Sequence, residues 1–271
     1  PLTKAVPKEL VPAFDRPILH YAVREALAAG IRHVVIVTSP GKKAMEDYFT
    51  PSPHIEQLLR DKGYSAIADE LRDFSQGLRF SYPVQEEQLG LGHAVLCAKD
   101  AVGHYPFAVI LPDDLVVGSN PALVQMAQAW RRNPGNYLAV EEVPPQRISA
   151  YGVVAPAPDG HLDDTTTRLQ GMVEKPPVEK APSNLGIVGR YILMPQVFDA
   201  LEGTRPGAIG EIQLTDGIGL TMDCVPTYAY RFEGTRYDCG TPLGLLRASL
   251  SLALRDPDTS AQVREWQEFS W

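Results

Sequence analysis

A chain of 271 residues can build one large core or two modest domains, and 44% apolar with 21% charged residues is the composition of a globular protein. The formal net charge of −8 gives no general attraction to nucleic acid or to anionic membranes, so any phosphate binding has to be local. Three cysteines, Cys97, Cys224 and Cys239, lie far apart with no CxxC pairing, which argues against a disulfide framework or thiolate zinc site and for a reducing cytoplasm.

The opening stretch, PLTKAVPKEL, sets Lys4 and Lys8 among prolines and reads as the second half of a phosphate-binding segment. Pro17 to Ala29 has helical periodicity, with Pro17 in the first turn and Gly30 placed to end the helix. HVVIVT follows as a β-branched run suited to a strand covered on both faces. Residues 50–77 have helical spacing and read as a helical insertion. FAVILPDD is a second buried strand, followed by a helix that Asn120 caps and Pro121 begins. Further strands are expected at YLAVEEV, YGVVAP, LQGMVEKP, LGIVGRYIL and TYAYRFE, and a closing helix starts at Pro242 with Thr241 as its cap. Alternating β and α units point to an open α/β sheet. No apolar run is long enough to span a bilayer and no signal-peptide pattern is visible.

Four stretches carry candidate chemistry. In ILPDD an apolar strand ends abruptly in Asp113 and Asp114, and a carboxylate at the carboxyl end of such a strand is placed to hold a hard cation. The bland alternative is that an aspartate there begins a turn or caps the next helix. Asp238, in YDCGTP, is a second acidic residue between a strand and a helix. In VEKP, Glu174 can accept hydrogen bonds from sugar hydroxyls and Lys175 can face a phosphate, although an exposed Glu-Lys pair is more often a solvated one. In VQEEQLGLGHAV, Gln85 ends a strand and can pair with a base edge, while Gly90 and Gly92 precede a helix and admit close backbone approach. The third glycine of a dinucleotide fingerprint is absent, and His93 reads as a packed or capping residue.

The ordered set PLTKAVPKEL, GLGHAVL, VILPDD, AYGVV, VEKP, APSNLGIVGRYIL, GEIQLTD and YDCGTPLG resembles the bacterial sugar-nucleotide pyrophosphorylase family over nearly the whole chain. GLGHAVLCA and APSNLGIVGRY resemble its uridylyltransferase branch, as distinct from thymidylyl and cytidylyl relatives. The resemblance implies a Rossmann-like, GT-A-like nucleotidyltransferase fold with a mixed, mostly parallel sheet flanked by helices. Residues 1–240 would form this domain and 241–271 a C-terminal helical extension. The implied reaction is transfer of UMP from UTP to glucose 1-phosphate, giving UDP-glucose and pyrophosphate with Mg²⁺. By the same resemblance Asp113 and Asp238 are metal-side carboxylates, and Lys8 meets the nucleotide phosphates. Glu9, Gln85 and Gly90 read uracil, and Gly152, Glu174 and Lys175 bind glucose 1-phosphate. A homodimer or homotetramer is implied, as is a first strand and an arginine-bearing glycine loop before Pro1. A thymidylyltransferase is one alternative, because one methyl group separates uracil from thymine and is worth about 1–3 kcal/mol; a non-catalytic nucleotide-sugar binding subunit and a purely structural α/β domain are the others.

Overall fold

The computed structural model of the chain describes residues 4–205 and 210–268; residues 1–3 of the opening stretch and 269–271 of the C-terminal extension lie outside the described residues. A short hairpin, β1 (Pro12–Ala13) and β2 (Arg16–Pro17), leads into α1 (Ile18–Ala28) and β3 (His33–Val35). Three helices follow: α2 (Ala44–Phe49), then α3 (Pro53–Asp61) and α4 (Ser65–Gly77), the last two forming the expected helical insertion. Next come β4 (Arg79–Ser81), α5 (Leu91–Cys97), α6 (Lys99–Val102), β5 (Phe107–Ile110), β6 (Asp114–Val117) and α7 (Ala122–Arg132). The second half contains β7 (Asn136–Glu142), β8 (Gly152–His161), β9 (Thr166–Glu174), β10 (Leu185–Leu193), α8 (Gln196–Gly203), α9 (Leu214–Thr221), β11 (Thr227–Arg231), β12 (Thr235–Asp238), α10 (Pro242–Ala253) and α11 (Ser260–Glu268). Among the described residues no helix is long and apolar enough to cross a membrane.

The main sheet has six strands in the order β5-β10-β7-β11-β9-β8. Its side chains alternate between two cores because neighbouring residues of a strand face opposite ways. Leu138, Val140, Ile187, Tyr191 and Ala229 pack with Phe198, Leu201, Leu214 and Ile218 of α8 and α9 on one face. Tyr137, Ala139, Val188, Ile192, Tyr228 and Tyr230 pack with Leu123 and Met126 of α7 on the other. Strand β10 is buried at all nine positions, as a strand covered on both faces must be. A third core joins α1, α2 and α4 over β3 and β4 through Leu19, Val23, Met45, Phe49 and Phe74.

The sheet is mixed and flanked by helices, but the parallel pairings are the minority. Within the six strands β7–β11 is the parallel ladder, and β3–β4 forms a separate parallel pair; the other ladders are antiparallel. Part of the reason lies in the connections. Strands β8 and β9 are joined by a short connection with no crossover and therefore reverse direction, and β10 pairs antiparallel with β5, β7 and β8. The start of α7 also differs from expectation. Its N-cap residue is Pro121, and the Leu123 amide donates to Glu25 Oε1 at 2.8 Å, so a carboxylate from α1 does the work expected of Asn120. At α10 the cap is as expected, with Thr241 Oγ1 accepting from the Gly244 amide at 3.1 Å.

Candidate active site

Strand β5 ends at Ile110, and the chain turns through Leu111 to Asp113 before β6 begins. The turn is closed by the Asp114 amide donating to the Leu111 carbonyl at 3.1 Å. Strand β12 runs antiparallel to β6 with Asp238 opposite Asp114, and the Cys239 amide donates to the Asp113 carbonyl at 2.7 Å. Sheet pairing thus brings Asp113 and Asp238 to one place although the chain separates them widely. Lys8 joins them, its Nζ 2.7 Å from Asp113 Oδ2. Burial opposes the Lys8 charge, but the hydrogen bond and field of Asp113, with Glu9 and Asp238 behind it, raise its pKa overall.

The two neighbouring aspartates do different work. Asp114 Oδ2 accepts from the Gly189 amide at 2.8 Å, and Asp114 Oδ1 accepts from Arg236 Nε at 2.7 Å. Arg236 also donates to Glu141 Oε1 at 2.7 Å and to the Tyr151 hydroxyl at 3.0 Å. Burial works against its charge, yet Asp114 and Tyr151 raise the pKa on balance. Both aspartates line the cleft, but the Asp114 oxygens are taken by Arg236 and β10, whereas Asp113 meets Lys8, which lies outside the lining.

That cleft, of about 300 Å³, is lined by Asp113, Asp238, Gly152, Glu174, Thr215 and Arg236 among others. Also in the lining, Gly152 opens β8 and is paired with Glu174 at the end of β9. A Cβ at Gly152 would lie 2.9 Å from Glu174 Oε2 and 3.0 Å from Thr215 Cγ2, so the wall is built against that backbone. Thr215 Oγ1 donates to Glu174 Oε2 at 3.0 Å and fixes the carboxylate. Lys175 follows with its Nζ 3.7 Å from Glu174 Oε1. Its φ of 45° is left-handed for a residue that also precedes a proline, a conformation that costs about 1–3 kcal/mol where surroundings impose it. The Lys175 amide is held on the Tyr151 carbonyl at 3.0 Å.

Of the expected residues, Lys8, Glu9, Gln85, Gly90 and Lys175 lie outside the cleft lining. Gln85 Nε2 donates to the Gly90 carbonyl at 3.2 Å and sits 3.0 Å from His93 Nδ1. Gly90 has φ +97°, and a Cβ there would come within 2.8 Å of Glu211 Cβ. The loop is clamped onto the 211–215 segment, with the Gly92 amide on the Ile212 carbonyl at 2.8 Å and the Ile212 amide on the Leu89 carbonyl at 2.7 Å. Gly92, expected before the helix, lies inside the first turn of α5. Glu9 accepts from Lys42 Nζ at 3.4 Å.

Sequence reasoning passed over Arg236, Thr215 and the buried pair Glu25–Arg190. A signal existed for two of these: Arg236 is two positions from Asp238 on one strand, hence on the same face, and Arg190 is a charge inside an otherwise apolar strand. Thr215 carried none, since nothing in GEIQLTD shows that Glu174 is its partner.

Asp113 and Asp238 offer oxygen donors, and among the described residues no group of three or more His, Cys, Asp or Glu could hold a metal ion. Two carboxylates at an open cleft fit a hard divalent cation that completes its shell with water and substrate phosphates, and do not fit a closed structural cage.

The model of the nucleotidyl transferase family matches residues 1–254. The chain is 39% identical over 268 residues to the UTP–glucose-1-phosphate uridylyltransferase of Bacillus subtilis, covering 99% of this chain and 91% of that protein. A solved UDP-glucose pyrophosphorylase complexed with UDP-glucose is 38% identical and superimposes with a TM-score of 0.84, covering 94% of each chain. A UTP-bound UGPase from Acinetobacter baumannii, also 38% identical, gives 0.87 over 98% of this chain and 92% of that one.

Proposed function

The chain belongs to the nucleotidyl transferase family, and from that premise we propose that it transfers UMP from UTP to glucose 1-phosphate, forming UDP-glucose and releasing pyrophosphate. The carrying observation is that one cleft is lined by Asp113, Asp238, Gly152 and Glu174 together, with Lys8 on Asp113. Relatives bearing the uridylyltransferase name, and neighbours holding UTP or UDP-glucose, support the choice of substrates.

In this reading Lys8 sits on the nucleotide phosphates, and Glu9, Gln85 and Gly90 form the base-reading side. Gly152 and Glu174 hold the glucose hydroxyls, and Lys175 holds the sugar phosphate. A phosphate oxygen of glucose 1-phosphate attacks the α-phosphorus of UTP; the new P–O bond forms as the bond to pyrophosphate breaks, and the electron pair leaves with pyrophosphate. That oxygen is already ionised at neutral pH, so no general base is required. The barrier is repulsion between anions and their alignment, which the lysines lower by neutralising charge and fixing geometry. The family generally uses a divalent metal; Mg²⁺, held by Asp113 and Asp238, would supply further charge neutralisation when bound.

Residues 1–240 are read as the transferase domain and 241–271 as a helical extension. Leu243, Leu246 and Leu250 stand exposed along α10 and support assembly as a homodimer or homotetramer. Three unpaired thiols suit a cytoplasmic location. The test is incubation of the complete protein with Mg²⁺, glucose 1-phosphate and either UTP or dTTP, following pyrophosphate release and identifying the product by mass spectrometry. UDP-glucose is expected with UTP; a product formed only with dTTP, or no sugar nucleotide at all, overturns the reading.

A further inference from the structure

The pair Glu25–Arg190 is buried deep between α1 and β10, with 1% of the Arg190 and 8% of the Glu25 side chain exposed. Arg190 Nε and Nη2 donate to Glu25 Oε2 at 3.0 and 2.9 Å. Its Nη1 donates to the Leu111 carbonyl at 3.1 Å and the Gly189 carbonyl at 2.9 Å. The second Glu25 oxygen takes the Leu123 amide, so one carboxylate serves two elements. A buried ion pair is a poor source of stability, because desolvation offsets the attraction and an apolar pair of similar volume often serves as well. What this pair supplies is geometry: four directed bonds from a rigid planar group.

The bonds form a closed circuit around the metal-side end of the cleft. The Lys8 carbonyl accepts from the Val11 amide at 3.2 Å, and the Val11 carbonyl accepts from the first amide of α1, that of Ile18, at 3.1 Å. Helix α1 carries Glu25 to Arg190, Arg190 holds Leu111, and Leu111 opens the turn bearing Asp113. The circuit closes where Lys8 Nζ meets Asp113 Oδ2 at 2.7 Å. We propose that Glu25–Arg190 is the positioning element of this end of the site, fixing the turn of Asp113 relative to the segment that carries Lys8. Arg190 lies outside the cleft lining and acts through the Leu111 carbonyl; it is a positioning residue. The inference rests on the reading of Asp113 as a metal ligand and Lys8 as a phosphate contact.

The test compares Glu25→Gln/Arg190→Met, which removes both charges together, with Arg190→Lys, which keeps the charge but loses the fork, and with Asp113→Asn. In both positioning variants kcat should fall about ten- to a hundredfold, since small misplacements of reacting groups cost that much. The Mg²⁺ concentration for half-activation should rise, and Mn²⁺ binding in the presence of UTP, followed by electron paramagnetic resonance, should weaken. The KM for glucose 1-phosphate and the far-UV spectrum should not change. A folded double variant with wild-type kcat and Mn²⁺ binding overturns the proposal; if that variant does not fold, the same two values at wild-type level in Arg190→Lys overturn it. Wild-type Mn²⁺ binding in Asp113→Asn instead removes the metal-ligand reading beneath it.

Discussion

Gly152→Ala is the sharpest perturbation of the sugar side, because one added methyl group meets a defined wall. The backbone of Gly152 is outside the left-handed region, so alanine meets no conformational penalty and its effect is purely one of space. The new Cβ would stand 2.9 Å from Glu174 Oε2, against an ordinary contact of 3.4 Å or more, and the carboxylate has to retreat by about half an ångström. That oxygen is held by Thr215 Oγ1 at 3.0 Å, and Thr215 Cγ2 is itself 3.0 Å from the added atom, so the pair cannot move together without disturbing α9. Misplacing one hydrogen bond to a charged group is worth about 1.5–3 kcal/mol, or roughly a ten- to hundredfold rise in the KM for glucose 1-phosphate. Initial rates with either substrate varied should show that rise with the KM for UTP unchanged. Gly171→Ala, on the neighbouring strand, is the control, since its nearest atom would be Ala155 Cβ at 3.8 Å. A folded Gly152→Ala enzyme with an unaltered KM for glucose 1-phosphate would refute the placement of the sugar beside Glu174.

Gly90→Ala should act on the other substrate: φ of +97° and a contact of 2.8 Å to Glu211 Cβ displace the base-side loop, raising the KM for UTP while calorimetric binding of glucose 1-phosphate stays as it was. Lys175→Ala should raise the KM for glucose 1-phosphate and lower turnover; equal weakening of UTP in calorimetry would misplace that lysine. In the helical insertion, Glu70 is held down to about 2, first by its hydrogen bond with His20, against burial, and then by Arg16. A depressed carboxyl stabilises the fold above its ordinary value near 4.5 and loses that contribution as pH falls through about 2, so the melting-temperature gap between wild type and Glu70→Gln should narrow with acidification. A gap constant from about pH 6 to about pH 3 would discard the coupling. Burial, with Asp238, Asp113 and Asp114 nearby, pushes the Cys239 thiol up to about 11, so iodoacetamide near pH 8 should label the exposed Cys224 first, as read by peptide mapping; earlier labelling of Cys239 would contradict this.

Much of the molecule was legible in its order of residues. Local rules were enough for α1 with Gly30 behind it, for the Thr241 cap, and for the apolar runs that became β5, β7 and β10, because period, caps and proline positions act over a few neighbours; β5, expected as buried, is only half-buried because it forms the edge of the sheet. The motif stretches also located Asp113, Gly152, Glu174 and Asp238, all of which line the cleft. The short β8–β9 connection contained the reason for one antiparallel ladder, but the expected balance of the sheet followed the family picture, and the antiparallel pairings of β10 are set by strands distant in the chain.

The sequence by itself determined the strongly periodic helices, the main apolar strands and the short stretches that bear reactive groups, since those properties reside in neighbouring residues, whereas α8, α9, β6 and β12 were not read from it. Only the tertiary structure decided the division of labour between adjacent residues of one type. Asp113 and Asp114 are indistinguishable in ILPDD; what separates them is that Arg236 and the Gly189 amide claim Asp114, while Lys8 meets Asp113. The same holds for the start of α7, where Glu25 from a distant helix supplies the acceptor in place of Asn120, and for Thr215 on Glu174. Each of these partnerships joins residues far apart in the chain, and a hydrogen bond is decided by separation in space, which packing sets and local sequence does not record.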